Sequence, residues 1–127
     1  MTFAYFCVLL AVLMPLFCAV YAKKAGGFTV ADNRNPREFL AKTEGAAARA
    51  NAAQQNCYEI FPAFAAAVII AHATGAAAQL TINFWALVFV LGRIAFIYSY
   101  IKDQPARRSL CFGANLLAVV ALFLAAF

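Results

Sequence analysis

The sequence predicts an all-helical integral membrane protein, a four-helix bundle with little structure outside the bilayer. Three observations carry that prediction. Hydrophobic residues make up 66% of the 127-residue chain and charged ones only 12%, against roughly 45–50% and 25% in soluble domains. A soluble domain this small has too little interior to hide so much apolar surface. The apolar residues also gather into four runs, each near the roughly 20 residues needed to span the hydrocarbon core. Finally, the basic residues fall in two clusters between those runs, which gives the net charge of +5 a topological reading. It marks an anionic membrane face. No basic patch is interleaved with aromatics in a nucleic-acid-binding pattern, so no nucleic-acid partner is expected.

The first helix is predicted over residues 2–22, with Pro15 tolerated because neighbours can re-satisfy the carbonyl it frees. Lys23 and Lys24 mark its exit. It has no basic segment before its apolar stretch, and that stretch is long, so it reads as a retained helix rather than a secretory signal. Residues 25–44 form the one polar connection, signalled by Gly26-Gly27, Asn35-Pro36 and six charges. A short interfacial helix can start at Pro36, since proline suits a first helical turn. The second helix is predicted over about 43–75, capped by Thr43. Its first half is polar and Ala-rich, its second half apolar, and Pro62 sits at the join, so it begins outside the hydrocarbon and then enters it. After an uncharged turn, the third helix runs over 79–101 and contains Trp85 and Arg93. The fourth runs over 106–127, with Arg107 and Arg108 in its first turn. Residues 1–127 thus read as a single transmembrane domain. Lys and Arg populate the first and third connections but not the second. The positive-inside rule therefore puts those two connections in the cytoplasm and both termini outside.

Ionisable groups at membrane depth are costly, so Glu59 and Arg93 each need a reason. Arg49, Asn56 and Glu59 fall within about 80° of helical arc, with Ala52 and Ala63 on the same stripe. Arg93, Ile97 and Tyr100 share one face of the third helix. One reading is a polar pocket near the cytoplasmic interface for an anionic ligand carrying carboxylates and an amine. Arginine would grip a carboxylate bidentately, and Glu59 would accept from the ammonium. The other reading is that Glu59 pairs with Arg93 or Arg49 to neutralise buried charge. Arg107 and Arg108 can equally be simple topology signals. His72, the single histidine, has no acidic or cysteine partner nearby and reads as a packed or interfacial residue. Trp85 reads as a lipid- or interface-facing aromatic. Cys7, Cys18, Cys57 and Cys111 form no CxxC pair and read as small buried apolar residues, with no metal site expected.

The stretch Asn56-Cys57-Tyr58-Glu59-Ile60-Phe61-Pro62, with Arg49 two turns upstream, resembles the MAPEG family (membrane-associated proteins in eicosanoid and glutathione metabolism), as a bacterial-type member. Chain length, four helices, the long first loop, and Arg93 before Tyr100 and Arg107 agree with it. The resemblance implies a left-handed four-helix bundle assembled as a homotrimer, with glutathione as co-substrate bound between subunits toward the cytoplasmic side. It implies that Gln54, Asn56, Glu59 and Tyr100 contact glutathione. Arg49 matches a basic position of the motif, and Arg93 completes the cofactor-binding set. Arg107 falls where enzymes of the family place the arginine that stabilises the glutathione thiolate. A guanidinium favours the ionised, attacking form of a thiol. Three positions depart from the family's best-known enzymes. Ala52 replaces an arginine, while Ile60 and Phe96 stand where leukotriene-making members have tyrosines.

Three functions follow. The first is a glutathione-dependent transferase or peroxidase acting on hydrophobic electrophiles that arrive through membrane lipid. The second is a non-catalytic protein of the same fold that binds lipid or a protein partner, favoured by Ala52, Ile60 and Phe96. The third, a small multidrug exporter, is disfavoured because such exporters carry an essential glutamate in the first helix, which here has no charge. A bacterial inner membrane is the expected location, with both termini periplasmic.

Overall fold

The computed structural model describes residues 2–127, and among them it is all helix and turn, with no strand. Helix α1 (Phe3–Gly26) begins at Thr2, whose hydroxyl accepts from the Tyr5 N–H, and ends at Gly27 in the left-handed region with φ 76°. It runs a full turn beyond its predicted end. Lys23 and Lys24 lie in its last turn, where the helix dipole favours cations, so they end the membrane span without ending the helix. Helix α2 (Pro36–Ala41) is the short helix expected after Pro36, with Asn35 accepting from the Glu38 N–H. Helix α3 (Gly45–Thr74) starts two residues later than predicted. Thr43 does not cap it. Its hydroxyl donates to the Leu40 carbonyl at 2.7 Å, closing α2, and Glu44 takes the cap position with no side-chain bond. Helix α4 (Gln79–Ile101) matches its prediction, and α5 (Pro105–Leu124) stops short of the predicted 127.

The four long helices, of 24, 30, 23 and 20 residues, are each long and apolar enough to cross a membrane. At 1.5 Å per residue α3 is about 45 Å long, well over the roughly 30 Å hydrocarbon core. Its polar first half therefore stands at or beyond the interface.

Each helix buries one narrow stripe. On α1 it runs through Ala4, Cys7, Ala11, Met14, Cys18 and Ala22. On α3 it is Ala50, Ala53, Cys57, Ile60, Phe64, Ala67 and Ala71. Steps of three and four residues are the signature of helices packed at a shallow angle. Hydrophobicity between helices gains nothing in lipid, so close approach through small residues has to supply the attraction. The alanines and cysteines facing one another across α1 and α3 provide it. Mid-bundle, Phe64 and Phe89 stack at 3.7 Å, 4° from parallel. Trp85 is half-buried and packed against the core, not simply turned to lipid.

The expectation of a packed His72 holds, but the residue does more than fill space. Its Nδ1 bonds the Val68 carbonyl, and its Nε2 lies 3.1 Å from both Thr2 Oγ1 and Gln79 Nε2. Gln79 donates on to Asn83 Oδ1, which also accepts from the Ala4 N–H. With Tyr5 stacked on the imidazole at 4.4 Å, this network ties the start of α1, the end of α3 and the start of α4 together. The opposite, basic end of the bundle is left to the site.

Candidate functional site

The basic end brings together the first half of α3, the last turns of α4 and the start of α5. Arg93 organises it. Its side chain is 1% exposed, and both terminal nitrogens donate to Asn56 Oδ1, at 3.1 and 2.9 Å. Its guanidinium carbon lies 4.0 Å from the centre of the Phe96 ring, and its Nε has no partner. Arginine can only donate, so it holds the oxygen of the Asn56 amide inward. The amide nitrogen must then face outward, and it donates to Glu59 Oε2 at 3.1 Å. A buried cation thereby sets the direction of an exposed carboxylate through one amide.

This arrangement differs from both ion pairs considered from sequence. Glu59 pairs with neither Arg93 nor Arg49; the ion pair found among the described residues is Lys42–Glu38 in the polar connection. The Asn56 amide stands between the two, taking Arg93 on its oxygen and Glu59 on its nitrogen. Arg49 instead donates from Nε to the Ile101 carbonyl at 3.0 Å. There it closes the C-terminal end of α4, where a cation meets the negative end of the helix dipole.

Beside Asn56 opens a cleft of about 330 Å³ lined by Asn56, Phe96, Tyr100, Arg108, Ser109 and Phe112. Of the predicted site residues, the structure therefore brings Asn56, Glu59, Arg93 and Tyr100 to one corner. Gln54 does not join them. It lines a separate cleft of about 460 Å³ with Arg37, Asn51, Gln55 and Tyr58. Two residues along a helix is about 200° of rotation, so Gln54 and Asn56 must leave α3 on opposite sides. Arg107 is exposed. It donates weakly to Gln104 at 3.5 Å and lies 5.9 Å from the Tyr98 ring centre. Sequence reasoning missed Asn115, which is fully buried and donates to the Phe89 carbonyl at 2.7 Å. A lone amide seven residues after Arg108 was the available signal.

A bundle of this shape, with the Asn-x-x-Glu-x-x-Pro segment folded around a buried arginine, can be compared with known families. The model of the MAPEG family matches residues 3–127, nearly the whole chain. The chain belongs to the MAPEG family. No curated protein matches it closely. MAPEG proteins include glutathione transferases and peroxidases as well as non-catalytic members. Membership with four membrane-crossing helices makes this an integral, multi-pass membrane protein. Ile60 and Phe96 are both buried. The Phe96 face is already occupied by Arg93.

Proposed function

We propose that this MAPEG protein binds glutathione in the cleft beside Asn56 and uses its thiolate against hydrophobic electrophiles, as a transferase or peroxidase. The observation that carries this is the Arg93–Asn56–Glu59 chain, which aims one carboxylate beside a cleft walled by Phe96, Tyr100 and Phe112 and bordered by a guanidinium. Glu59 can accept from the glutathione ammonium, the Asn56 amide and Tyr100 hydroxyl can bond its peptide groups, and the aromatic wall can receive an apolar co-substrate from lipid. Transfer would form a sulfur–carbon bond while the electrophile's leaving group departs or its strained ring opens. In the peroxidase version two glutathiones become the disulfide as a hydroperoxide becomes alcohol and water. A thiol with pKa near 8.5 is only about 3% ionised at pH 7, so a cation of the first turn of α5 is needed to raise the thiolate fraction.

The two clefts on opposite sides of α3 support a homotrimer. Gln54 meets an Asn56 site only if a neighbouring protomer brings its own Gln54 side against that cleft. The basic connections argue for this end facing the cytoplasm, with a bacterial inner membrane as the setting.

The test is a thermal titration of the detergent-purified protein with glutathione. Glutathione should raise the melting temperature, and Glu59→Gln should weaken its binding about tenfold, the equivalent of one charge-assisted hydrogen bond, without lowering the melt of the unliganded protein. Unchanged affinity in Glu59→Gln would reduce Glu59 to a surface residue. A second reading, a non-catalytic member that binds lipid or a protein partner, draws on Ala52, Ile60 and Phe96, none of which offers a polar group to glutathione. A melting temperature indifferent to glutathione favours it.

A further inference from the structure

We propose that Cys18 and Cys57 form a redox-active pair, a dithiol that a hydroperoxide converts reversibly into a disulfide joining α1 to α3. The proposal stands apart from the glutathione reading. Both residues lie on the facing stripes of α1 and α3, and they are 1% and 3% exposed. The two thiols interact directly with each other, and the charge of Arg93 acts on both. The remaining thiols are placed differently. Cys7 lies three turns from Cys18 on α1, about 16 Å along the axis, and packs in the larger core cluster. Cys111 is half-buried on α5.

Cys57 and Arg93 line one narrow void with Ala11, Met14, Phe61 and Phe89, too tight to admit water. The guanidinium has the Asn56 oxygen as its acceptor, and its Nε is left without a partner. Sulfur attack on a peroxide builds negative charge on the departing oxygen. The cation beside Cys57 balances that charge, and the free Nε–H can donate to it. Cys57 is therefore the sulfur that reacts first. It attacks the distal oxygen of the hydroperoxide, the O–O bond breaks, and the alcohol leaves with the thiol proton. Cys57 becomes a sulfenic acid. The Cys18 sulfur then attacks the Cys57 sulfur. An S–S bond forms, the S–O bond breaks, and water leaves with the Cys18 proton. Two electrons pass from the two thiols to the hydroperoxide, giving disulfide, alcohol and water. A thiol reductant reverses the change, as suits a pair in a reducing compartment, where disulfides are transient. The cross-link lies one residue from Asn56, so the state of the pair acts on the joint that aims Glu59.

The experiment treats the full chain in detergent with cumene hydroperoxide and, separately, with hydrogen peroxide. Thiols are counted after denaturation, and intact mass and peptide maps locate any link. The wild type should lose two of its four thiols and the mass of two hydrogens, carry a Cys18–Cys57 link, and regain both thiols with dithiothreitol. Cys18→Ala should stop at the sulfenic acid, captured by dimedone on Cys57, and Cys57→Ala should form no link. The double variant Cys7→Ala/Cys111→Ala should behave as the wild type. Melts without oxidant report folding. If either single variant is unstable, the double variant, which keeps both sulfurs of the pair, carries the test. A link through Cys7 or Cys111, sulfinic acid without a cross-link, or four thiols surviving both peroxides overturns the proposal. No glutathione is added, so this outcome and that of the glutathione titration are independent.

Discussion

Asn56 works as a hinge between unlike neighbours because a carboxamide carries an acceptor and a donor on the same carbon. Its oxygen satisfies two N–H groups of Arg93, and its nitrogen supplies Glu59. No other side chain of that length does both. Asn56→Asp would keep the acceptor for Arg93 but set a second anion against Glu59, so it should fold yet lose the Glu59 orientation and bind glutathione poorly. Asn56→Leu would leave a buried guanidinium without its acceptor. Breaking such a buried contact from one side costs about 3 kcal/mol, which would show as a clear fall in the thermal unfolding midpoint in detergent. A midpoint unchanged in Asn56→Leu would mean that Arg93 finds solvent or another carbonyl and that the amide is not structural. At this scale the sequence told less than the structure. It marked Arg93 and Glu59 as the groups needing an explanation and placed Asn56 on the Glu59 stripe. It could not show that the amide stands between the two charges, because helical phase gives direction but not reach.

Between elements, the tightest joint is that of α4 and α5. A methyl group added at Gly92 would lie 2.8 Å from Asn115 Nδ2, and that amide cannot swing aside without giving up its bond to the Phe89 carbonyl. Gly92→Ala should therefore destabilise the bundle by about 1–3 kcal/mol, the usual cost of overpacking. In a background of Asn115→Ala the same change should cost much less. A double-mutant cycle measures the coupling, and additive effects would show that the two helices can slide apart freely. At the other end, His72→Ala removes the imidazole shared by Thr2, Val68 and Gln79 and should lower stability by a similar amount. The polar connection has its own pH dependence. Hydrogen bonds from the Thr29 hydroxyl and then its N–H hold the Asp32 carboxyl below its ordinary range, and Lys42 does the same for Glu38. Because both are depressed in the folded state, their support is present at neutral pH and fades as pH falls below about 4. Faster hydrogen exchange over residues 29–42 in acid, with the four long helices still protected, is the expected sign. Element boundaries were legible to within a turn. Thr43 misled because a hydroxyl can close the helix behind it as readily as cap the one ahead, and the Lys23-Lys24 pair because a membrane exit need not be a helix end.

For the whole molecule, composition and run length were enough to fix four membrane helices, since few other solutions exist for a chain this apolar and this short. The residue stripes that build the core repeat every three and four positions and could be read directly. The cleft was less legible because it depends on three helices meeting at one end. The cleft is built from the faces of α3, α4 and α5. The buried Arg93 has a consequence for how the chain is made. A guanidinium within a spanning segment raises the work of inserting that segment, by up to roughly 2.5–3.5 kcal/mol at its centre. The amide that accepts its hydrogen bonds lies on α3, which leaves the ribosome earlier than α4. The acceptor is thus already in place when the cation arrives, and α5, the last helix to be made, docks onto a guanidinium that has its hydrogen bonds.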